Sequence, residues 1–396
     1  MRYASITQRL SGLGSGKWAL HSEARNMIQA GHPVIELTIG EPDVAPDPRL
    51  LAECVRAMQA GRTRYSNGRG EPSVVKALVE KYRARRPDVT ENNILCFPGT
   101  QTALFAVMLG LVEAGDTVLV GDPLYATYEG VVASTGARLV PVPLRAKQRF
   151  HLQAVDLEAA ITPETRVLLL NNPHNPSGAV LSREEIAAIG DVCRRHDLWI
   201  VSDEVYEELI FDKSFASPFD DPDLAERVIA VSSISKSHAA PGFRSGWAAG
   251  PAEFCNRLLP VSETMLFGGQ PFIADMTAMA ISQDFDTAAV MRANYGRRAR
   301  LVADQIAGSN AITPLMPEGG MFILLDVSGT GLSGEDFAWK LLRDKHVAVM
   351  PGSSFGAQAK SFIRLSLTVP DDRLTVAVGH IADLGEELST PTARRA

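Results

Sequence analysis

The sequence predicts an α/β protein with a largely parallel sheet covered by helices on both faces. Short apolar runs recur through the middle of the chain: Thr117–Val120, Arg138–Val142, Val167–Asn171, Trp199–Ser202, Val228–Val231 and Trp247–Ala249. Amphipathic stretches lie between several of them, at Thr102–Val112, Tyr125–Ser134 and Arg183–His196. Strands that are apolar throughout are those buried on both faces, and connections of helical length join parallel neighbours. At 396 residues the chain can also bury more than one core.

The C-terminal third reads differently. Phe285–Gly308 has the pattern of one long helix, rich in Arg and Ala. A strand (Met321–Val327), a helix (Gly334–Lys345), short strands (Val347–Met350 and Phe362–Ser366) and a last helix (Asp371–Glu387) follow. This pattern predicts a smaller α+β domain. The tail Ser389–Ala396 is polar and is expected to be disordered.

The formal charge of −7 argues against general nucleic-acid binding, which needs concentrated positive charge. No apolar run is long enough for a membrane span, and Met1–Ser5 lacks the apolar core of a signal peptide. The cysteines Cys54, Cys96, Cys193 and Cys255 are scattered without a CxxC pair. They read as reduced thiols of a cytoplasmic protein. The histidines are dispersed, and no metal-binding cluster is visible.

The stretch Ser233–Trp247 is the most informative. It sets Lys236 among small hydroxyl and glycine residues, with Arg244 further along. A Schiff-base lysine needs close neighbours of little bulk, and an arginine flanked by small residues suits a phosphate. Together they suggest pyridoxal 5′-phosphate attached to Lys236, with Arg244 on its phosphate. Asp203 ends an apolar strand, where a carboxylate can keep a pyridine nitrogen protonated; Tyr206 can donate to the ring's phenolic oxygen. An N-cap aspartate with a packed tyrosine is the plainer alternative.

The segment Phe97–Leu104 joins a strand to a helix. The free N–H groups of Gly99, Thr100 and Gln101 at a helix start form a phosphate cradle or an ordinary cap. Asn171–Gly178 is a rigid proline-bearing loop whose Asn175 can face a polar ligand or merely make a turn. Tyr125, after a strand, can stack on a planar ring or line the core. Arg364, inside an apolar strand, needs an anionic partner, either a substrate carboxylate or a structural acid. Two glycine loops, around Gly40 and around Tyr65–Pro72, carry no function by themselves. Ser11–Trp18 imitates a nucleotide loop, but Ser11 replaces the first glycine and Trp18 the magnesium-binding hydroxyl. It reads as a mobile glycine-rich segment.

In their order and spacing, these motifs resemble the class I/II aminotransferases of fold type I, the aspartate aminotransferase superfamily. The resemblance runs from Ile39–Asp43 to Phe362–Ser366. It implies a seven-stranded, mostly parallel sheet in a large cofactor domain, residues 47–284. Residues 1–46 and 285–396 would form the small domain. Lys236 then matches the Schiff-base lysine and Asp203 the partner of the pyridine nitrogen. Tyr206 and Asn175 match the donors to the phenolic oxygen, and Tyr125 the stacking aromatic. Ser233, Arg244, Gly99, Thr100 and Gln101 match the phosphate site. Tyr65 matches a tyrosine that reaches the neighbouring subunit's cofactor, which implies a homodimer with shared sites. Arg364 matches the clamp on the substrate α-carboxylate, with Gly40, Trp18 and Asn175 also against substrate.

Where some aspartate- and prephenate-type members carry a lysine, this chain has Gln101, which argues against strict aspartate preference. The segments Met1–Tyr3, His174–Ala179 and Ser235–Ala239, with Trp18 and His21, look closest to bacterial arginine–pyruvate transaminases. The implied reaction moves the amino group of an L-amino acid, arginine or another, to a 2-oxo acid such as pyruvate or 2-oxoglutarate. A carbon–sulfur β-lyase on the same scaffold would use the same residues. A regulator on this fold would need a DNA-binding extension, and no basic extension is visible.

Overall fold

A computed structural model of the chain describes residues 1–14 and 16–389. The expected tail therefore lies outside the described residues except for Ser389, which ends the last helix. Ser15 of the glycine-rich segment lies outside them too.

The larger sheet has seven strands, as expected. Across the sheet they run Ile94–Phe97, Gly246–Ala249, Val228–Ser233, Trp199–Asp203, Thr165–Asn171, Thr117–Asp122 and Arg138–Pro143. Parallel pairing joins the last five in that order. Gly246–Ala249 is antiparallel to both its neighbours. The chain returns to it through one helical turn, Ile234–Ser237, and a 3-10 turn, Pro241–Phe243, without a full crossover helix.

The central strands are apolar because both faces are covered. One face packs against helices that include Pro72–Arg83, Arg183–Arg195 and Pro271–Ser282. The other packs against Thr100–Leu111, Tyr128–Thr135 and Ala252–Leu266. Arg183–Arg195 starts at a reciprocal cap between Ser182 and Glu185. Tyr128–Thr135 begins later than its pattern predicts, because Tyr125 sits in the preceding turn and accepts from the Tyr128 N–H.

A third core gathers Leu20, Val34 and Leu37 near the N-terminus with residues from Ala288 to Leu384. The helix Thr287–Ile306 packs there beside Asp371–Ser389. Four antiparallel strands form a second sheet: Met350–Pro351, Phe362–Ser366, Phe322–Asp326 and Thr313–Leu315. Val347–Met350, read as one strand, divides between two sheets. Val347–Ala348 pairs in parallel with Ile35–Glu36, and Met350–Pro351 takes the edge beside Phe362–Ser366. Pro351 has no N–H to donate, which suits an edge.

Candidate active site

The carboxyl ends of Thr165–Asn171, Trp199–Asp203 and Val228–Ser233 open into a cavity of about 340 Å³. Open α/β sheets gather ligands at such strand ends. Every residue expected to bind cofactor or substrate lines this cavity except Gly99 and Tyr65.

Lys236 sits in the single helical turn after its strand. Ser233 caps that turn, its side chain accepting from the Ser235 N–H. The Lys236 Nζ donates to the Gly40 carbonyl at 2.6 Å. Burial pulls the ammonium down to about 8; Glu41 opposes this, while Arg364 and Arg244 add to it.

Asp203 ends its strand 4% exposed. Burial raises its carboxyl to about 6, against hydrogen bonds from Tyr128 and the Val205 N–H. The Tyr128 hydroxyl donates to Asp203 Oδ2 at 2.7 Å. The Asn171–Gly178 loop is tied to the same strand end. Asn171 Nδ2 and the Asn172 N–H both donate to the Asp203 carbonyl at 3.1 Å. Asn171 Oδ1 accepts from the Asn175 N–H at 2.7 Å, which fixes Asn175 against the cavity. Tyr206 is buried beside it, and burial pushes its phenol up. The neighbouring His174 is structural: it bonds Ser177 and the Pro123 carbonyl, and burial lowers it to about 4.

Arg364 is the largest fully buried side chain among the described residues. Its Nη1 donates to Asn175 Oδ1 at 3.0 Å and its Nη2 to the Thr38 carbonyl at 2.6 Å. Its guanidinium carbon lies 3.8 Å from the Phe322 ring centroid and 4.4 Å from that of Phe355. The buried Nε has no partner, and burial lowers the group to about 10. No carboxylate pairs with it among the described residues.

At the other end stands the N-terminus of the helix Thr100–Leu111. Gly99 precedes it with φ +85°, and a Cβ there would meet Arg244 Nη2 at 2.3 Å. Thr100 Oγ1 is buried and unpartnered. Arg244 donates to the carbonyls of Pro241 at 2.8 Å and Pro98 at 3.4 Å. Gln101 accepts from Thr127 at 2.9 Å. The Tyr125 ring meets Tyr128 edge-on, 5.5 Å between centroids.

Trp18 lies on the wall, its indole edge-on to His21. Tyr65 lies away from the cavity, 89% exposed and edge-on to Phe267. Tyr128, Phe322, Phe355 and Thr38 complete the site without any mark in the sequence. Only the Tyr125-Ala126-Thr127-Tyr128 spacing hints that two aromatics share one side of a helix start.

Among the described residues no group of His, Cys, Asp and Glu is arranged to hold a metal ion, and no helix is long and apolar enough to cross a membrane.

Residues 32–381 match the family model of aminotransferase class I and II. The arginine–pyruvate transaminase AruH of Pseudomonas aeruginosa is 39% identical over 389 residues, 98% of this chain and 99% of that protein. An aspartate aminotransferase of Musicola paradisiaca is 32% identical over 387 residues, 96% of each chain. The crystal structure of the Rhizobium meliloti aspartate aminotransferase superposes with a TM-score of 0.92 at 29% identity. It covers 98% of this chain and 99% of that one.

Proposed function

The chain belongs to the class I and II aminotransferases, and we propose that it works on pyridoxal 5′-phosphate held between Lys236, Asp203 and the Gly99–Gln101 helix start. The observation that carries the reading is Arg364: a buried guanidinium without an acidic partner, in one cavity with Lys236 and Asp203. It fits an α-carboxylate, and the anion that balances its charge then comes from the substrate.

The residues present fit the cofactor. Gly99 leaves open the space beside Arg244 that a Cβ would fill, and Thr100 Oγ1 is a buried group waiting for an acceptor or donor. Arg244 and Thr100 Oγ1, with Ser233 and the free N–H groups of Thr100 and Gln101, would hold the phosphate. Asp203 would face the pyridine nitrogen, Tyr206 and Asn175 the phenolic oxygen, and Tyr125 the ring face. When bound, the cofactor supplies an electron sink for the pair left on the substrate Cα.

The chain's own groups do the rest. Arg364 and Asn175 fix the substrate carboxylate, which orients the Cα–H bond toward Lys236. A lysine near 8 is unprotonated often enough at neutral pH to accept that proton and, once protonated, to act as the acid of the same site. Asp203, with Tyr128 donating to it, holds a negative charge where the site needs one. The Phe322 and Phe355 rings keep water from Arg364.

Several finer points belong to the same proposal. Residues 47–284 form the cofactor domain, with 1–46 and 285–396 as the smaller one. The exposed Tyr65 serves the pocket of a second copy, in a homodimer acting in the cytoplasm. The donor is arginine or another amino acid and the acceptor pyruvate or 2-oxoglutarate, in line with the name of the Pseudomonas relative.

The test is a half-reaction. Protein loaded with pyridoxal 5′-phosphate is mixed with single amino acids, and the cofactor absorbance is followed with release of the 2-oxo acid. Bleaching that needs Lys236 and reverses on adding pyruvate or 2-oxoglutarate supports transamination. Ammonia release from a thioether amino acid without an acceptor would make it a β-lyase instead.

A further inference from the structure

Three cations line the cavity: Lys236, Arg244 and Arg364. In the reading above each has a task, so a dicarboxylic donor would need a fourth for its distal carboxylate. Lys17, next to Trp18 in the chain, is paired with Glu129 at 2.6 Å. The carboxylates of the wall are Asp203 and Glu41. Asp203 is buried and hydrogen-bonded. Glu41 is exposed and makes no hydrogen bond or ion pair with any described residue.

The backbone fixes where Glu41 stands. The Thr38 carbonyl accepts from Arg364 and the Gly40 carbonyl from Lys236, each at 2.6 Å. The groups that would hold the substrate's carboxylate and receive its Cα proton are thus tied to one short segment, and Glu41 is its next residue. Gly40 is packed close: a Cβ there would lie 2.2 Å from Phe322 Cζ. The segment therefore cannot carry Glu41 away from the wall without losing these contacts.

We propose that Glu41 is a specificity-determining residue of the aminotransferase site, one that takes the positive end of a donor with a long cationic side chain. The proposal rests on the aminotransferase reading. A guanidinium pairs with a carboxylate through two N–H groups and also stacks on aromatic rings, and Trp18 lines the same wall. An exposed pair in open water is worth little, but a concave wall with an aromatic neighbour shields part of it.

The test compares arginine with citrulline, which has the same length and shape but an uncharged end. The probe is the half-reaction of the holoenzyme, read as kcat/KM for each donor. Arginine should exceed citrulline by about tenfold or more, the size of one charge-assisted contact. Glu41→Gln should bring the ratio towards one, and Glu41→Asp should keep a preference for arginine. A ratio cancels any effect of Glu41 on Lys236 that both donors share. A ratio near one in the unaltered enzyme, an unchanged ratio in Glu41→Gln, or faster reaction with aspartate than with arginine overturns the proposal. Alanine separates the two levels: if alanine reacts while the ratio is flat, only the role of Glu41 falls. If no amino acid reacts, the aminotransferase reading falls with it.

Discussion

Arg364 is 2% exposed and sandwiched between Phe322 and Phe355, yet its Nε has no partner. Arg364→Ala should raise KM for amino acids and oxo acids alike by about a hundredfold, the range for losing a paired charge. Unchanged KM for both would make it a structural arginine. Asp203 and Tyr128 carry a pH prediction. A donor to the charged form lowers a carboxyl pKa, so Tyr128→Phe should move Asp203 further above about 6. The acid limb of kcat/KM should shift up by about one pH unit, with the alkaline limb in place. Lys236 carries a second. Apoprotein should capture pyridoxal 5′-phosphate faster as pH rises, levelling above about 8 rather than near an ordinary 10.5. Lys236, Asp203 and Arg364 were legible because each is an ionisable group in apolar or small-residue surroundings. Tyr128 was not: its role depends on a helix start turning its hydroxyl beneath the strand end.

Among the elements, the junction at Gly99 is tightly constrained. Its φ of +85° and ψ of 167° lie in a region that only glycine occupies freely. Gly99→Ala should cost about 1–3 kcal/mol of stability from the backbone alone, read by denaturant titration. It should also weaken the hold on inorganic phosphate, because Arg244 Nη2 must move aside. Periodicity located most elements, since apolar runs and amphipathic stretches are local features. It could not assign partners. Val347–Met350 reads as one strand, but its two halves hydrogen-bond to segments more than three hundred residues and about a dozen residues away, respectively. The antiparallel sense of Gly246–Ala249 was hidden for the same reason: a strand's apolar content does not encode its direction.

Across the whole molecule, Glu318 joins segments that are distant in the chain. It accepts from His151 at 3.0 Å and the Val180 N–H at 2.9 Å, and pairs with Lys213 at 2.9 Å. Burial alone would raise its carboxyl, but these partners bring it down to about 2. A carboxyl lowered from 4.5 to about 2 stabilises the fold fully above pH 4.5 and loses that contribution as pH falls through 2. Glu318→Gln should therefore melt lower than the unaltered protein at pH 7, and the gap should narrow below pH 4.5. A gap that is constant with pH would mean packing rather than charge. Nothing in the sequence around Glu318 announces this junction, because its partners, Arg149 at 3.4 Å among them, come together only in the folded chain.

Trp18, on the cavity wall, gives the molecule an optical consequence. Of its four tryptophans, Trp18 alone lines that cavity, while Trp199 and Trp247 lie in strands of the larger sheet and Trp339 in the helix Gly334–Lys345. An indole at that position changes its emission when a neighbouring chromophore or substrate arrives. Filling of the site is thus visible as fluorescence without any label, and Trp18→Phe should silence that signal while the other three tryptophans still glow.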